Sequence, residues 1–171
     1  MELGALICTP RNPLCGGCPL KGRCIARKQN KVDAIPALAK RAAATKRRFI
    51  GFIIAWRGEV YVQRRPSGEV NAGFWEFPNW QADDPAMQPA DLAKASLALG
   101  QAALEPLCTI NHSITRYRNR LEMFAIAPSR KPRLAKLKGQ WLPEAKLAEL
   151  PLTAAHRKAA TRFLNTANGR E

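Results

Sequence analysis

The sequence predicts an α+β fold, a mixed sheet with flanking helices over residues 48–168, preceded by a short cysteine-rich module (1–27) and a basic linker (28–47). Three observations predict it. Four of the five cysteines fall within residues 8 to 24. The next 24 residues carry eight Lys or Arg and a single Asp. From Arg48 onward, segments of strand and helix character follow in the order strands, helix, strands, helix, spread over an ordinary domain length.

The first element is "CTPRNPLCGGCPLKGRC", with Cys8, Cys15, Cys18 and Cys24 in the spacing C-x6-C-x2-C-x5-C. Two disulfides are disfavoured in a reducing compartment and leave Cys108 over. Zinc takes four thiolates in a closed tetrahedron, usually from two paired knuckles, and only Cys15 and Cys18 form such a pair. A [4Fe–4S] cubane presents four irons at separate corners, which a short loop with uneven spacers can meet. Spacing alone leaves zinc and iron–sulfur open. The following stretch, "IARKQNKVDAIPALAKRAAATKRR", has an Ala-rich middle and Pro36 and reads as a charged tether.

"RFIGFIIAW" is β-branched and aromatic, and "EVYVQRR" follows after Arg57 and Gly58, a tight hairpin. "AGFWEFPNW", residues 72–80, reads as a structured turn or short strand. "ADLAKASLALGQAAL", residues 90–104, reads as a helix with Gly100 as its stop signal. "LEPLCTINHSI" and "RLEMFAIA" are two strands around "TRYRN". A final helix runs from Thr153 to Asn165 behind Pro151. Trp56, Trp75, Trp80 and Trp141 are expected in the core or at its rim. Cys108 is expected as a small buried hydrophobe, and His112 as a buried strand histidine satisfied by backbone. His156 has no visible partner in the sequence.

Composition narrows the function classes. Twenty-eight Lys and Arg against thirteen Asp and Glu give a net charge of +15, an excess that suits a polyanion, nucleic acid first. No apolar run reaches the ~20 residues of a spanning helix. The start "MELGALIC" has neither a basic region nor a small-residue cleavage site. The expectation is an intracellular, cytoplasmic, nucleoid-associated monomer.

The cysteine spacing and its surroundings, "ELGALICTPRNPLCGGCPLKGRC", resemble the cluster loop of the endonuclease III and MutY DNA glycosylases, and most closely that of MutY. The resemblance implies a [4Fe–4S] cluster on Cys8, Cys15, Cys18 and Cys24. It also implies a first-to-second-Cys loop that touches DNA phosphate, with Arg11 as the contact and Lys21 and Arg23 nearby. "VYVQRRPSGEVNAGFWEFPNW" resembles the front of a Nudix fold. Active Nudix hydrolases then carry R-E-x-x-E-E on a helix, to hold Mg²⁺. Here the corresponding "ADLAKASLALG" has one acid, Asp91, so pyrophosphate hydrolysis is not expected.

A silent Nudix-like domain that recognises 8-oxoguanine is what the MutY resemblance implies. That family's recognition hairpin reads H-(S/T)-F-(S/T)-H, and the matching segment here is "HSITRYR". Ser113, Ile114, Thr115 and Arg116 are therefore the expected DNA contacts, with Ile114 in place of Phe and Arg116 in place of His. Tyr117 and Arg118 are read as ordinary strand residues. The family's catalytic half, with its general-acid Glu and cation-stabilising Asp, has no counterpart, so no catalytic residue is assigned. Met1 is expected to be internal to a longer protein or the start of a truncated one. The implied function is the C-terminal portion of a base-excision-repair glycosylase that removes adenine opposite 8-oxoguanine. Its expected partner is duplex DNA with 8-oxoguanine:adenine or guanine:adenine mismatches. A zinc-bound nucleic-acid adaptor and an atypical Nudix hydrolase of oxidised nucleotides are the alternatives.

Overall fold

The computed structural model describes residues 2–35, 43–97, 99 and 103–168. It divides into two compact units, Met1–Ala42 and Ala43–Glu171. Gly100 and the Ala-rich middle of the linker, including Pro36, lie outside the described residues. Among those described, no helix is long and apolar enough to cross a membrane.

The first unit holds α1 (Glu2–Leu6), a 3₁₀ turn at Cys15–Gly17, α2 (Ile25–Lys28) and a second 3₁₀ turn at Val32–Ala34. None of its described residues is buried. Leu6, Leu14, Leu20 and Ile25 are each more than half exposed. So small a module without a core needs another source of order, and a group bound by its thiols is the usual one.

The second unit is a sheet with a helix on each face. Its strands are β1 (Thr45–Trp56), β2 (Glu59–Arg64), β3 (Trp75–Glu76), β4 (Asn79–Gln81), β5 (Leu104–Ile114), β6 (Tyr117–Ile126) and β7 (Gly139–Pro143). The order is β3-β2-β1-β6-β5, with β4 also on β1 and β7 on β2. β1 and β6 are parallel and in register from Thr45–Tyr117 to Ile54–Ile126; the other pairings are antiparallel. Because β1 is covered on both faces, its sequence is a continuous apolar run rather than an alternating one. Ile50, Phe52 and Ile54 point into one core with α3 (Pro89–Leu97), through Ala93 and Leu97. Ile53 points into the other with α4 (Ala154–Asn168), through Ala155, Ala159 and Ala160. Gly51 sits where β4, β1 and β6 converge: a Cβ there would lie 2.6 Å from Met123 Sδ and 3.2 Å from Asn79 Cβ. The β1–β2 turn has positive φ at both Arg57 and Gly58, the mirror-image turn that suits strand twist.

Several expectations need correction. β1 begins at Thr45, so Thr45, Lys46 and Arg47 are paired strand residues rather than the end of the linker. The helix expected over 90–104 is described only as Pro89–Leu97, and Leu104 already belongs to β5. β7 was not anticipated; "GQWLP" is short and bounded by Gly and Pro. Cys108 is half-buried, its thiol pKa raised by burial despite Arg162 nearby. His156 does have a partner: it is buried, and its Nδ1 accepts the Phe77 N–H at 3.1 Å. Its Nε2 lies 3.9 Å from Glu76 Oε2, but Arg65 already holds that carboxylate at 2.5 Å. Burial, reinforced by the charge of Arg65 and by His112, holds His156 at about 3, so at neutral pH the approach to Glu76 is no ion pair.

Candidate nucleic-acid interface and cluster loop

In the first unit Cys8, Cys15, Cys18 and Cys24 line one small cavity, with Ile7, Lys21 and Arg27. Backbone bonds put them there. Ile7 N–H and Cys8 N–H, just past α1, both donate to Leu3 O in its first turn, and Leu14 N–H returns to Ile7 O, closing the 8–14 loop. Cys15 opens the 3₁₀ turn, and Cys24 is the residue before α2. None of the five cysteines is in a disulfide. Among the described residues no three ligand-type side chains converge on one point as a single metal ion requires. Four thiols lining one cavity are a donor set that suits a group met at several corners. Arg27 donates from Nη1 to Cys15 O at 3.3 Å, and Lys21 from Nζ to Gly16 O at 3.4 Å. Both line the cavity with the four cysteines. Arg11 is exposed in the closed loop, where Thr9 Oγ1 donates to Arg11 O at 2.8 Å and Asn12 takes a φ of 54°. Arg23 is also exposed.

In the second unit "HSITRYR" is the β5–β6 hairpin, and Thr115 and Arg116 are its two-residue turn. Ser113, Thr115 and Arg116 are exposed and Ile114 half-buried. Thr115 has a φ of 51°, an uncomfortable region for a β-branched residue. Its hydroxyl donates to Ile114 O at 2.7 Å, which leaves its oxygen able only to accept from a further group. Arg116 Nη2 donates to Tyr117 OH at 3.2 Å, and the Arg47 guanidinium lies 3.6 Å above the Tyr117 ring. The Tyr117 phenol is accordingly lowered, first by the Arg116 hydrogen bond and then by the Arg116 and Arg47 charges. Tyr117 is thus tied into the hairpin tip rather than being a plain strand residue.

His112 is not satisfied by backbone. Its Nε2 lies 3.3 Å from Asn119 Nδ2 across the β5–β6 pair. Its Nδ1 and Asn119 Oδ1 are buried without a partner. Burial, with Lys158 nearby, lowers the imidazole pKa, so the ring is neutral at pH 7.

Beside the hairpin lies an open groove of about 750 Å³. Five cations line it, Lys46, Arg47, Arg48, Arg118 and Arg120, against one carboxylate, Asp83. Arg48 is committed inward: Nε and Nη2 bond Glu122, and Nη1 bonds the carbonyls of Pro85 and Met87. These contacts hold the Glu122 carboxyl below its usual range, Arg48 contributing most and Arg120 less. The groove cations went unrecognised in the sequence because they come from strands whose paired residues lie 72 positions apart. The period-2 run Arg116, Arg118, Arg120 was the available signal.

The Nudix-type catalytic position is bare. α3 carries one acid, Asp91, which is exposed. Glu76 in the "WEFP" segment is bonded by Arg65 and Gln63.

Comparisons with known proteins match this layout. The NUDIX domain family model matches residues 50–162. The model for the iron–sulfur binding domain of endonuclease III matches residues 8–24, from the first cysteine of the loop to the last. An adenine DNA glycosylase of Buchnera aphidicola (subsp. Schizaphis graminum) is 30% identical over 80 residues. That alignment covers 47% of this chain and 23% of the relative, so the chain spans about a quarter of that protein's length. The structure of the MutT protein from Methanosarcina mazei Go1 superposes with a TM-score of 0.59 at 17% identity, covering 74% of this chain and 98% of the other. The C-terminal domain of mouse MUTYH, solved in complex with human PCNA, superposes with a TM-score of 0.55 at 19% identity, covering 71% and 90%. At these identities the two structures show the fold.

Proposed function

The chain belongs to the NUDIX domain family, and because an iron–sulfur loop precedes that domain in the MutY order, we propose that it is the DNA-binding, 8-oxoguanine-reading portion of an adenine DNA glycosylase. The observation that carries this reading is a Nudix fold whose signature helix, α3, has no glutamate, preceded in the chain by a four-cysteine loop. A pyrophosphate hydrolase needs those carboxylates for its metal; a reader of damaged bases does not.

In this reading Cys8, Cys15, Cys18 and Cys24 are the ligands of the [4Fe–4S] cluster, with Lys21 and Arg27 offsetting the thiolate charge. The cluster supplies, when bound, four fixed anchor points for a module that has no apolar core. The closed 8–14 loop then presents Arg11 to a phosphate, with Lys21 and Arg23 beside it. At the hairpin, Ser113, Ile114, Thr115 and Arg116 face the base opposite adenine. 8-Oxoguanine carries an N7–H donor where guanine carries an N7 lone pair. The Thr115 oxygen, its own proton spent on Ile114 O, accepts from the former and repels the latter. Ile114 supplies an apolar wedge. Excision of adenine is assigned to a catalytic half outside these 171 residues.

The test is binding of the chain, purified without oxygen, to duplexes with 8-oxoguanine:adenine or guanine:adenine over a salt series. A preference for the lesion that is lost in Thr115→Val is expected. Equal binding of both duplexes by the unsubstituted chain overturns the reading. Iron and sulfide analysis of the same preparation, against a Cys15→Ser variant, checks the ligand assignment.

A further inference from the structure

The two-residue alternation of basic side chains along β1 and β6 continues away from the hairpin tip. Lys46 and Arg48 lie on the same face of β1 as Ile50, and Arg118 and Arg120 on the same face of β6 as Glu122. In the register Lys46 stands opposite Arg118, and Arg118 opposite Ser113 of β5. One step on, Arg48 stands opposite Arg120, and Arg120 opposite Asn111. All six line the groove. The result is two polar rows crossing three strands.

The donors are not equally available. Arg48 is consumed by Glu122 and two carbonyls and serves as a brace. Arg120 spends Nε on Glu122 Oε1 at 2.9 Å, but its side chain is 61% exposed, which leaves its two Nη groups to the groove. Lys46 and Arg118 are in no ion pair among the described residues. The first row thus offers Lys46 and Arg118, the second Arg120 and the Asn111 amide, while Ser113 belongs to the base-reading hairpin.

We propose that this groove holds one nucleic-acid strand through two successive phosphates, one per row. Residues two apart on a strand face are separated by roughly 6.6 Å. That matches neighbouring phosphates of an extended nucleic-acid strand. The phosphates of a nucleoside triphosphate lie much closer together and would crowd one row and leave the other empty. The groove is also concave and compact, suited to a strand rather than to the full width of a duplex. The inference rests on the DNA-binding reading above. It adds a clamp, separate from the base-reading turn, that acts on backbone and not on sequence.

The test uses the full chain with its cluster, and anisotropy titrations over a salt series. The probes are the two duplexes above and an unpaired strand of the same length. Each phosphate contact contributes roughly 0.9 to the slope of log Kobs against log salt on duplex, and about 0.7 on a single strand. Lys46→Gln/Arg118→Gln removes one row: the slope is expected to drop by about 1 and the affinity roughly 10-fold at low salt. The ratio between lesion and undamaged duplex stays fixed. Arg120→Gln removes the second row with a similar drop. Arg118→Lys, which keeps the charge and serves as the folding control, stays near wild type. An unchanged slope in both Gln variants overturns the proposal, as does competition by dGTP but not by the unpaired strand. A reduced slope in a chain that never prefers the lesion sinks the reader function and leaves the clamp standing.

Discussion

Lowering the pH from 7 to 5 is expected to remove about 2 kcal/mol of stability through His156 alone. Its ring is 5% exposed and accepts the Phe77 N–H through Nδ1. Burial is the main reason its folded-state pKa is about 3, whereas an imidazole in an unfolded chain titrates near 6.5. Between those values the unfolded chain binds a proton that the native state refuses, so stability falls as pH falls. The cost is about 1.4 kcal/mol per pH unit, which gives about 2 kcal/mol at pH 5 and about 4 kcal/mol at pH 3. Around pH 3 the native ring itself begins to protonate, toward Glu76, and the loss levels off. His156→Asn keeps an acceptor for the Phe77 N–H and cannot titrate. Urea unfolding followed by tryptophan fluorescence at pH 7, 6 and 5 should show the wild-type advantage over the variant shrinking by about 2 kcal/mol. Carboxylate protonation affects both proteins and cancels in the difference. A gap that stays constant from pH 7 to 5 would refute the reasoning, because the ring would then titrate alike in both states.

Gly51→Ala places a methyl 2.6 Å from Met123 Sδ; the thioether can give way but the Asn79 side cannot, so a loss of about 1–3 kcal/mol is expected, read as a lower Tm. Thr115→Asn should do the reverse, stabilising by up to ~1 kcal/mol because Asn tolerates the positive φ, while weakening lesion preference in the duplex titration; a variant that is less stable would show the turn unstrained.

Much of this architecture was legible, and the parts that were not share a physical cause. The strand Leu104–Ile114 was readable from its β-branched run and the turn that follows it, although its first residue was also read as the end of the preceding helix. The continuous apolar run of β1 announced burial on both faces. The cysteine loop was readable because its ligand spacing is local. What sequence could not display is pairing at long range. His156 meets Phe77 across most of the domain, and the five-residue β7 exists because Gly139 lets β2 approach closely: a Cβ there would collide with Val62 O and the Tyr61 ring. His112 looked like a backbone-satisfied core residue. Only the β5–β6 register reveals Asn119 opposite it, with one ring nitrogen and one amide oxygen left over. The groove is likewise a product of register, since Lys46 and Arg118 become neighbours only when β1 and β6 align.

The parallel β1–β6 ladder has a consequence for how the chain reaches its fold. Each β1 residue from Thr45 to Ile54 pairs with one 72 positions later, Thr45 with Tyr117 and Ile54 with Ile126. During synthesis "FIGFIIAW" therefore emerges long before its principal partner strand. The β1–β2 hairpin forms early but covers only the far end of β1, at Ala55 and Trp56. Until β6 arrives, an uncharged segment of high β-propensity is open to pairing with a second nascent chain, the situation in which aggregation begins. Lys46, Arg47 and Arg48 sit immediately ahead of that segment and act as gatekeepers, since like charges on two chains oppose edge-to-edge association. The same three residues that border the groove in the folded protein thus protect the chain while it is still being made.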